Sequence, residues 1–112
     1  MSNMTQVVTL RLDYQQGPIW LSDVETGEPL TGISVIDADK RINELNLQIA
    51  TLYNSYYEFN SHNQACWFNA EKELADKDQM LNLVNLLCIR LHEVNDGSFV
   101  VKDTITPYLR TL

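Results

Sequence analysis

The sequence predicts an α+β domain in which a small antiparallel β-sheet packs against a hairpin of two helices. Three observations predict this class: an alternation of period two near the amino end, two later stretches with helical spacing, and a return of β-type residues near the carboxyl end. The chain has 112 residues, which suits one domain and is too short for two ordinary ones. We therefore assign residues 1–112 to a single domain.

Residues 7–36 are predicted to form a meander of two or three antiparallel strands. Apolar and polar residues alternate over residues 8–14, which is typical of a strand with one buried face. The Gly-Pro pair at 17–18 favours a turn. Residues 19–21 then form a short second strand, and residues 33–36 a weak third one.

The pattern changes at Asp37, after which apolar residues recur every three or four positions. This spacing predicts a first helix over residues 38–59 with one buried stripe. The stripe comprises Ile42, Leu45, Ile49, Leu52, Tyr56 and Phe59. Asp37 or Asp39 is expected to cap the first turn, because a short carboxylate accepts hydrogen bonds from unpaired amides. The opposite face, expected to contact solvent, carries Asn43, Asn46, Ala50 and Asn54.

A second helix is predicted over residues 69–96, beginning near Asn69 or Asp76 and ending before Gly97. Asp76 followed by Gln79 resembles a capping box, and glycine is the usual residue for a left-handed helix end. Apolar residues cover well over half of the circumference. The helix is therefore either the central element of the fold or a surface that contacts another chain.

Residues 98–112 are predicted to form a last strand and a tail. The strand, at residues 99–101, is expected to rejoin the first sheet, and Pro107 is expected to break the tail. The alternative architecture is a dimer of helical hairpins in which the β segments are arms.

The charge balance excludes several function classes. The net charge is −7, which disfavours binding to nucleic acid or to anionic membranes. No basic residue lies between Arg11 and Lys40, whereas six acidic residues do. They are Asp13, Asp23, Glu25, Glu28, Asp37 and Asp39. Such a lobe either keeps a small protein soluble or accelerates its encounter with a basic partner.

An aromatic cluster follows the acidic lobe. Tyr53 and Tyr57 fall at the edge of the helical stripe, and Trp67 follows shortly after. These rings are either boundary residues of the core or anchors for a partner, since Tyr and Trp dominate interface hot spots. The predicted partner-binding residues are Asp23, Glu25, Glu28, Asp37, Asp39, Trp20, Tyr53, Tyr57 and Trp67.

Two cysteines and two histidines form the only candidate metal set. His62 with Cys66, and Cys88 with His92, each have i,i+4 spacing, and zinc accepts such ligands in a tetrahedron. Buried packing is the favoured interpretation of both thiols, because free cysteine is often buried and no Cys-x2-Cys pair is present. A thiol nucleophile at Cys66 is a further alternative, but no family signature surrounds it. We expect no cofactor and no enzymatic activity.

The profile as a whole resembles small acidic immunity proteins of bacterial toxin–immunity systems, including those of the contact-dependent inhibition type. The acidic run at 23–39 and the aromatic stretch at 56–68 carry the resemblance. It implies a cytoplasmic bacterial protein that binds a cognate toxin domain, often a basic nuclease, and blocks its active site or an adjacent surface. The low cysteine content and the absence of a signal-like segment agree with a reducing compartment. The alternatives are a phage-type inhibitor or nucleic-acid mimic, a homodimeric or larger regulatory protein, and a zinc or thiol enzyme.

Overall fold

The computed structural model describes residues 6–13, 17–20, 22, 28–59 and 66–112, with the side chains of Phe59 and Cys66 left out. The strands in these residues are β1 (Gln6–Leu10), β2 (Ile19–Trp20), β3 (Tyr57–Phe59), β4 (Cys66–Phe68) and β5 (Phe99–Asp103). The helices are α1 (Ser34–Asp37), α2 (Lys40–Asn54), α3 (Ala70–Ala75), α4 (Lys77–Val94) and α5 (Ile105–Arg110). The predicted α+β class is confirmed.

A three-stranded sheet with the order β2-β1-β5 lies at one side of the core. The pairing of β1 with β2 is antiparallel, as predicted, and the last strand does rejoin the first sheet. However, β5 is parallel to β1, with Val8 opposite Val101, so the prediction of an antiparallel sheet is wrong for this pair. The helices between the two strands form the long crossover that a parallel pair requires.

The predicted third strand is wrong, because residues 34–37 form α1. Ile33 and Ile36 are both buried and lie three positions apart, a spacing that suits one helical turn. The Asp37 carboxylate accepts hydrogen bonds from the Thr31 amide at 3.1 Å and the Gly32 amide at 2.9 Å. It thereby closes the turn in front of the helix. Gly32 has a φ of 79°, a conformation that favours glycine.

The first long helix, α2, is shorter than the predicted span of 38–59. Asp39 is its N-cap, since the side chain accepts from the Ile42 amide at 2.9 Å, and one of the two predicted caps is confirmed. The helix ends at Asn54, and Tyr57–Phe59 pairs with Cys66–Phe68 as the β3–β4 hairpin. Aromatic residues are common in strands, and pairing across the hairpin outweighs the helical spacing here.

The predicted solvent face of α2 is wrong at Asn46 and Ala50, which are both buried. The Asn46 Oδ1 atom accepts from the Ile19 amide at 3.1 Å, and Nδ2 donates to the Ser22 hydroxyl at 3.3 Å. Gly17 lies so close that a Cβ atom there would come within 2.2 Å of the Asn46 Nδ2. Asn46 therefore ties α2 to the segment around β2, and α2 is covered on two sides.

The predicted second helix is divided in two at Asp76. Asn69 caps α3 by accepting from the Lys72 amide at 3.0 Å. The predicted capping box at Asp76 is wrong, because its carboxylate accepts from the Lys72 ammonium group at 2.9 Å and makes no cap hydrogen bond to α4. Helix α4 ends at Val94 with Asn95 as its C-cap, two residues before the predicted end, so the prediction that Gly97 ends the helix is wrong. Gly97 has a φ of 92° and takes the left-handed conformation in the turn before β5.

The carboxyl-terminal tail is helical. Pro107 lies in the first turn of α5, where a missing N–H leaves no intrahelical bond unmade, so the predicted break does not occur there. Helix α4 contacts α1, α2, α3 and α5, which makes it the central helix. Its fully buried residues are Met80, Val84, Leu87 and Leu91.

Candidate functional site

Two acidic residues of the predicted lobe, Asp37 and Asp39, are bound within the chain itself. Asp23 and Glu25 lie outside the described residues, and Glu28 is exposed. The Asp37 carboxylate accepts from the Thr31 hydroxyl at 2.8 Å in addition to the two amides of the turn. Both carboxylate oxygens of Asp37 are therefore bound in the turn before α1 and are poorly placed to pair with a partner.

Asp39 is paired with an arginine through two hydrogen bonds. Arg90 of α4 donates to it through two nitrogens, Nη2 to Oδ1 at 2.6 Å and Nε to Oδ2 at 3.1 Å. These bonds, together with the Ile42 amide, hold the pKa of Asp39 below its usual value. The charge that was expected to steer a partner is thus matched within the chain, and it fixes the start of α2 against α4.

Two substitutions of Asp39 distinguish the contribution of the helix cap to stability from the contribution of the ion pair. Asp39→Ala should be less stable than Asp39→Asn by about 1 kcal/mol, because asparagine keeps the cap. Asp39→Asn should itself be less stable than the wild type at pH 7. Because the folded pKa is lowered, this second difference should be complete above the unfolded pKa of about 3.9 and should vanish as the pH falls through the folded value. Urea unfolding at the two ends of this range measures both differences, and a pH-independent difference would contradict the ion-pair assignment.

Three of the predicted partner-binding residues, Tyr53, Tyr57 and Trp67, lie on or beside the β3–β4 hairpin. Tyr53 and Tyr57 pack on Phe68, with ring centroids 5.8 and 5.1 Å away, and their hydroxyl oxygens are 3.3 Å apart. Tyr56 is buried against the same ring. Desolvation raises the pKa of Tyr53, so its phenol stays protonated at neutral pH. Tyr53 and Tyr57 therefore support the inner face of the hairpin.

A buried carboxylate lies behind this cluster. Glu73 of α3 is 3% exposed, and the Tyr108 hydroxyl lies 2.9 and 2.8 Å from its two oxygens. Desolvation and the neighbouring Glu73 raise the pKa of Tyr108 to about 12. A protonated phenol that donates to a carboxylate joins α5 to α3, which suits a structural role.

The hairpin and α3, which follows it directly in the chain, carry exposed apolar and acidic side chains. Trp67 is 48% exposed and lies directly opposite Glu58 in the hairpin, while Leu74 on α3 is 56% exposed. Glu71 is exposed on the same short helix. We call Glu58, Trp67, Glu71 and Leu74 the hairpin–α3 surface. It combines two large apolar side chains with two carboxylates.

The basic residue of α3 does not neutralise this surface. The Lys72 ammonium group lies 5.0 Å from the centre of the Tyr56 ring and donates to Asp76 and to the Ser55 hydroxyl. Glu58 accepts a hydrogen bond from the Asn69 side chain, which orients the carboxylate without cancelling its charge. The hairpin–α3 surface is therefore apolar and acidic.

Trp20, the fourth predicted anchor, lies on the three-stranded sheet opposite Thr9. The Arg11 guanidinium covers its ring at 5.0 Å from the centroid. A cation over the ring makes this position less suitable than Trp67 for a basic partner. The structure thus places Trp20 on another element from Trp67 and next to a positive charge.

The candidate metal ligands are only partly described. His62 and the Cys66 side chain lie outside the described residues, and His92 is exposed on α4. The Cys88 Sγ atom is 3.8 Å from the Asp103 carboxylate, and desolvation raises its thiol pKa to about 11. Cys88 is therefore a protonated, half-buried side chain at neutral pH. Within the described ranges no group of three or more His, Cys, Asp or Glu is arranged to hold a metal ion.

Several residues of the candidate site were not predicted. Glu58, Glu71 and Leu74 form most of the hairpin–α3 surface, and Arg90 matches the charge of Asp39. Leu74 had a usable signal, because it is a large apolar residue in a short segment of small and charged ones. The pairing of Arg90 with Asp39 joins positions that are far apart in the chain and had no signal.

Comparison with known proteins gave no family model, no curated protein and no solved structure that matches this chain. Among the helices of the described residues, none has the length and apolar character needed to cross a bilayer.

Proposed function

We propose that this protein is a non-catalytic binding protein that neutralises a basic protein partner through its hairpin–α3 surface. The observation that carries the proposal is the exposure of Trp67 directly opposite Glu58 in a chain with a net charge of −7. Large aromatic side chains dominate the energy of protein interfaces, and acidic neighbours select a partner of the opposite charge.

The energetic argument rests on the two exposed apolar side chains. Complete burial of a side chain such as leucine contributes about 1.5–3 kcal/mol, and Trp67 and Leu74 each keep about half of their surface available for a partner. The two carboxylates contribute mainly to the association rate and to selectivity, since exposed ion pairs add little to the equilibrium. Trp67 and Leu74 would thus supply the affinity, and Glu58 and Glu71 the preference for a basic surface.

The partner class follows from charge and from the resemblance to immunity proteins. A nuclease-type toxin domain binds phosphates with lysine and arginine, so it offers a basic surface next to its active site. A bound domain of this size would exclude a nucleic acid from that surface by steric occlusion. Mimicry of nucleic acid by the acidic lobe is less favoured, because Asp37 and Asp39 are engaged within the chain.

Co-expression tests the proposal. A candidate basic nuclease toxin domain is induced in cells that carry the wild-type protein, the Trp67→Ala variant or an empty vector. We expect survival with the wild type, and loss of protection with Trp67→Ala at equal amounts of soluble protein. Equal survival with the variant would contradict the assigned surface, and death with the wild type would contradict the proposed function.

A further inference from the structure

One face of the β3–β4 hairpin places Glu58 and Trp67 side by side. The two residues are directly opposite each other in the antiparallel register, so their side chains lie on the same face. Tyr57 and Phe68, the next pair along the hairpin, lie on the other face, where their rings are in contact. An exposed indole ring therefore lies beside a carboxylate.

Asn69 binds one oxygen of the Glu58 carboxylate and leaves the other oxygen available. The Asn69 Nδ2 atom donates to Glu58 Oε2, while its Oδ1 atom accepts from the Lys72 amide at 3.0 Å as the cap of α3. Within the part of the chain that the structure describes, no donor is bound to Oε1 of Glu58. The Lys72 ammonium group donates to Asp76 and Ser55 and makes no ion pair with Glu58 in the same residues. Glu58 therefore offers an oriented oxygen to a donor from another molecule.

The two tryptophans differ in whether a cation of the chain already covers the ring. The Arg11 guanidinium lies 5.0 Å from the centre of the Trp20 ring. Among the described residues, no cation takes the corresponding position at Trp67, which is 48% exposed. The ring of Trp67 is therefore open to a cation of another molecule, in the arrangement that Arg11 adopts on Trp20.

We propose that Glu58 and Trp67 form a receptor for an arginine side chain of the partner, whose guanidinium stacks on the indole ring and donates to Oε1 of Glu58. A guanidinium is planar, so its face can lie on an aromatic ring while its edge donates to a carboxylate. A lysine ammonium group is compact and more strongly hydrated, so it gains less from the same contacts. The inference rests on the proposed function in taking the hairpin–α3 surface as the contact, and it adds which residue type of the basic partner is recognised.

Titration of the full chain with two peptides of equal charge, tetra-arginine and tetra-lysine with blocked ends, tests this proposal. Nuclear magnetic resonance gives the dissociation constants from the backbone amide signals of the hairpin, and the indole N–H signals of Trp67 and Trp20 locate the contact. The wild type is expected to bind tetra-arginine at least about threefold more tightly than tetra-lysine, with a larger shift at Trp67 than at Trp20. A smaller preference, or a larger shift at Trp20, would overturn the proposal.

Three variants assign the preference to the two side chains. Trp67→Leu keeps an apolar side chain but removes the aromatic face, so the preference for tetra-arginine should disappear. Glu58→Gln should weaken the binding of tetra-arginine more than Asp78→Asn, which makes the same change in net charge at an exposed position on α4. A preference that persists in Trp67→Leu, or equal effects of the two charge substitutions, would also overturn the proposal.

The peptides separate this inference from the proposed function, because the titration contains no toxin domain. If tetra-arginine has no preference although the wild type protects cells, the arginine receptor is wrong and the proposed function stands. If the preference is found but the wild type gives no protection, the receptor is supported and the proposed function is wrong.

Discussion

The Asn46→Ala variant is expected to lose about 3 kcal/mol of the free energy of unfolding. The substitution leaves the buried Ile19 amide without its acceptor, which costs about 1–3 kcal/mol, and leaves a cavity beside it. Urea unfolding measures the loss. Asn82→Ala is the control, because Asn82 is exposed on α4, and it should change the stability by less than about 0.5 kcal/mol. Equal effects of the two substitutions would show that Asn46 does not tie α2 to β2.

Gly17 packs directly against the Asn46 side chain and allows a second test of this contact. Gly17→Ala alone should cost about 1–3 kcal/mol, because the added Cβ atom would lie 2.2 Å from the Asn46 Nδ2. When Asn46 is already alanine, the obstructing amide is gone and Gly17→Ala should cost much less. A double-mutant cycle measures this coupling. Strict additivity would contradict the packing described for this pair.

The Trp67→Ala variant is expected to lose at least about 2 kcal/mol of binding free energy for the toxin domain used in the survival test, or about 30-fold in affinity. Its fold should be unaffected, because half of the side chain is already exposed. Trp20→Ala makes the same chemical change on the three-stranded sheet and should alter the affinity by less than about threefold. Titration calorimetry with the three proteins gives the comparison.

Two results would contradict the assignment of Trp67. If Trp20→Ala weakened binding more than Trp67→Ala, the interface would lie on the sheet. If both variants bound as tightly as the wild type, neither tryptophan would be an anchor. Far-UV circular dichroism of each variant excludes unfolding as the cause of a loss.

The sequence predicts the elements whose signal is local. Alternation around Val8 and Leu10 identified β1, and the spacing of Ile42, Leu45 and Ile49 identified α2. In each case one face is buried against a continuous core, so the burial repeats with the period of the element. The same argument explains why α4, with apolar residues on several sides, is the central helix.

Features that depend on distant partners could not be predicted. Asn46 is a polar residue that is buried because the Ile19 amide and the Ser22 hydroxyl meet it across the fold. The parallel pairing of β1 with β5 depends on where the intervening helices return the chain. The β3–β4 hairpin replaces a helical end because cross-strand packing of Tyr57 on Phe68 is a tertiary contact.

In the candidate site, too, exposure and charge could be predicted locally, whereas contacts with distant residues could not. Trp67 is about half exposed, and its role as an anchor stays a prediction. The steering role predicted for Asp37 and Asp39 has less support, because composition counts charges without showing which of them Thr31 and Arg90 already bind. Local charge runs thus identify an acidic protein more readily than they identify its contact surface.

The association and dissociation rates of the wild-type protein with a candidate basic toxin domain, measured at low and high salt, test the central claim most directly. Between about 50 and 500 mM salt the association rate should fall by at least tenfold, while the dissociation rate, set by Trp67 once the partner covers it, should change little. An association rate that does not respond to salt, or the absence of a complex at low salt, would contradict an acidic surface built around an aromatic anchor.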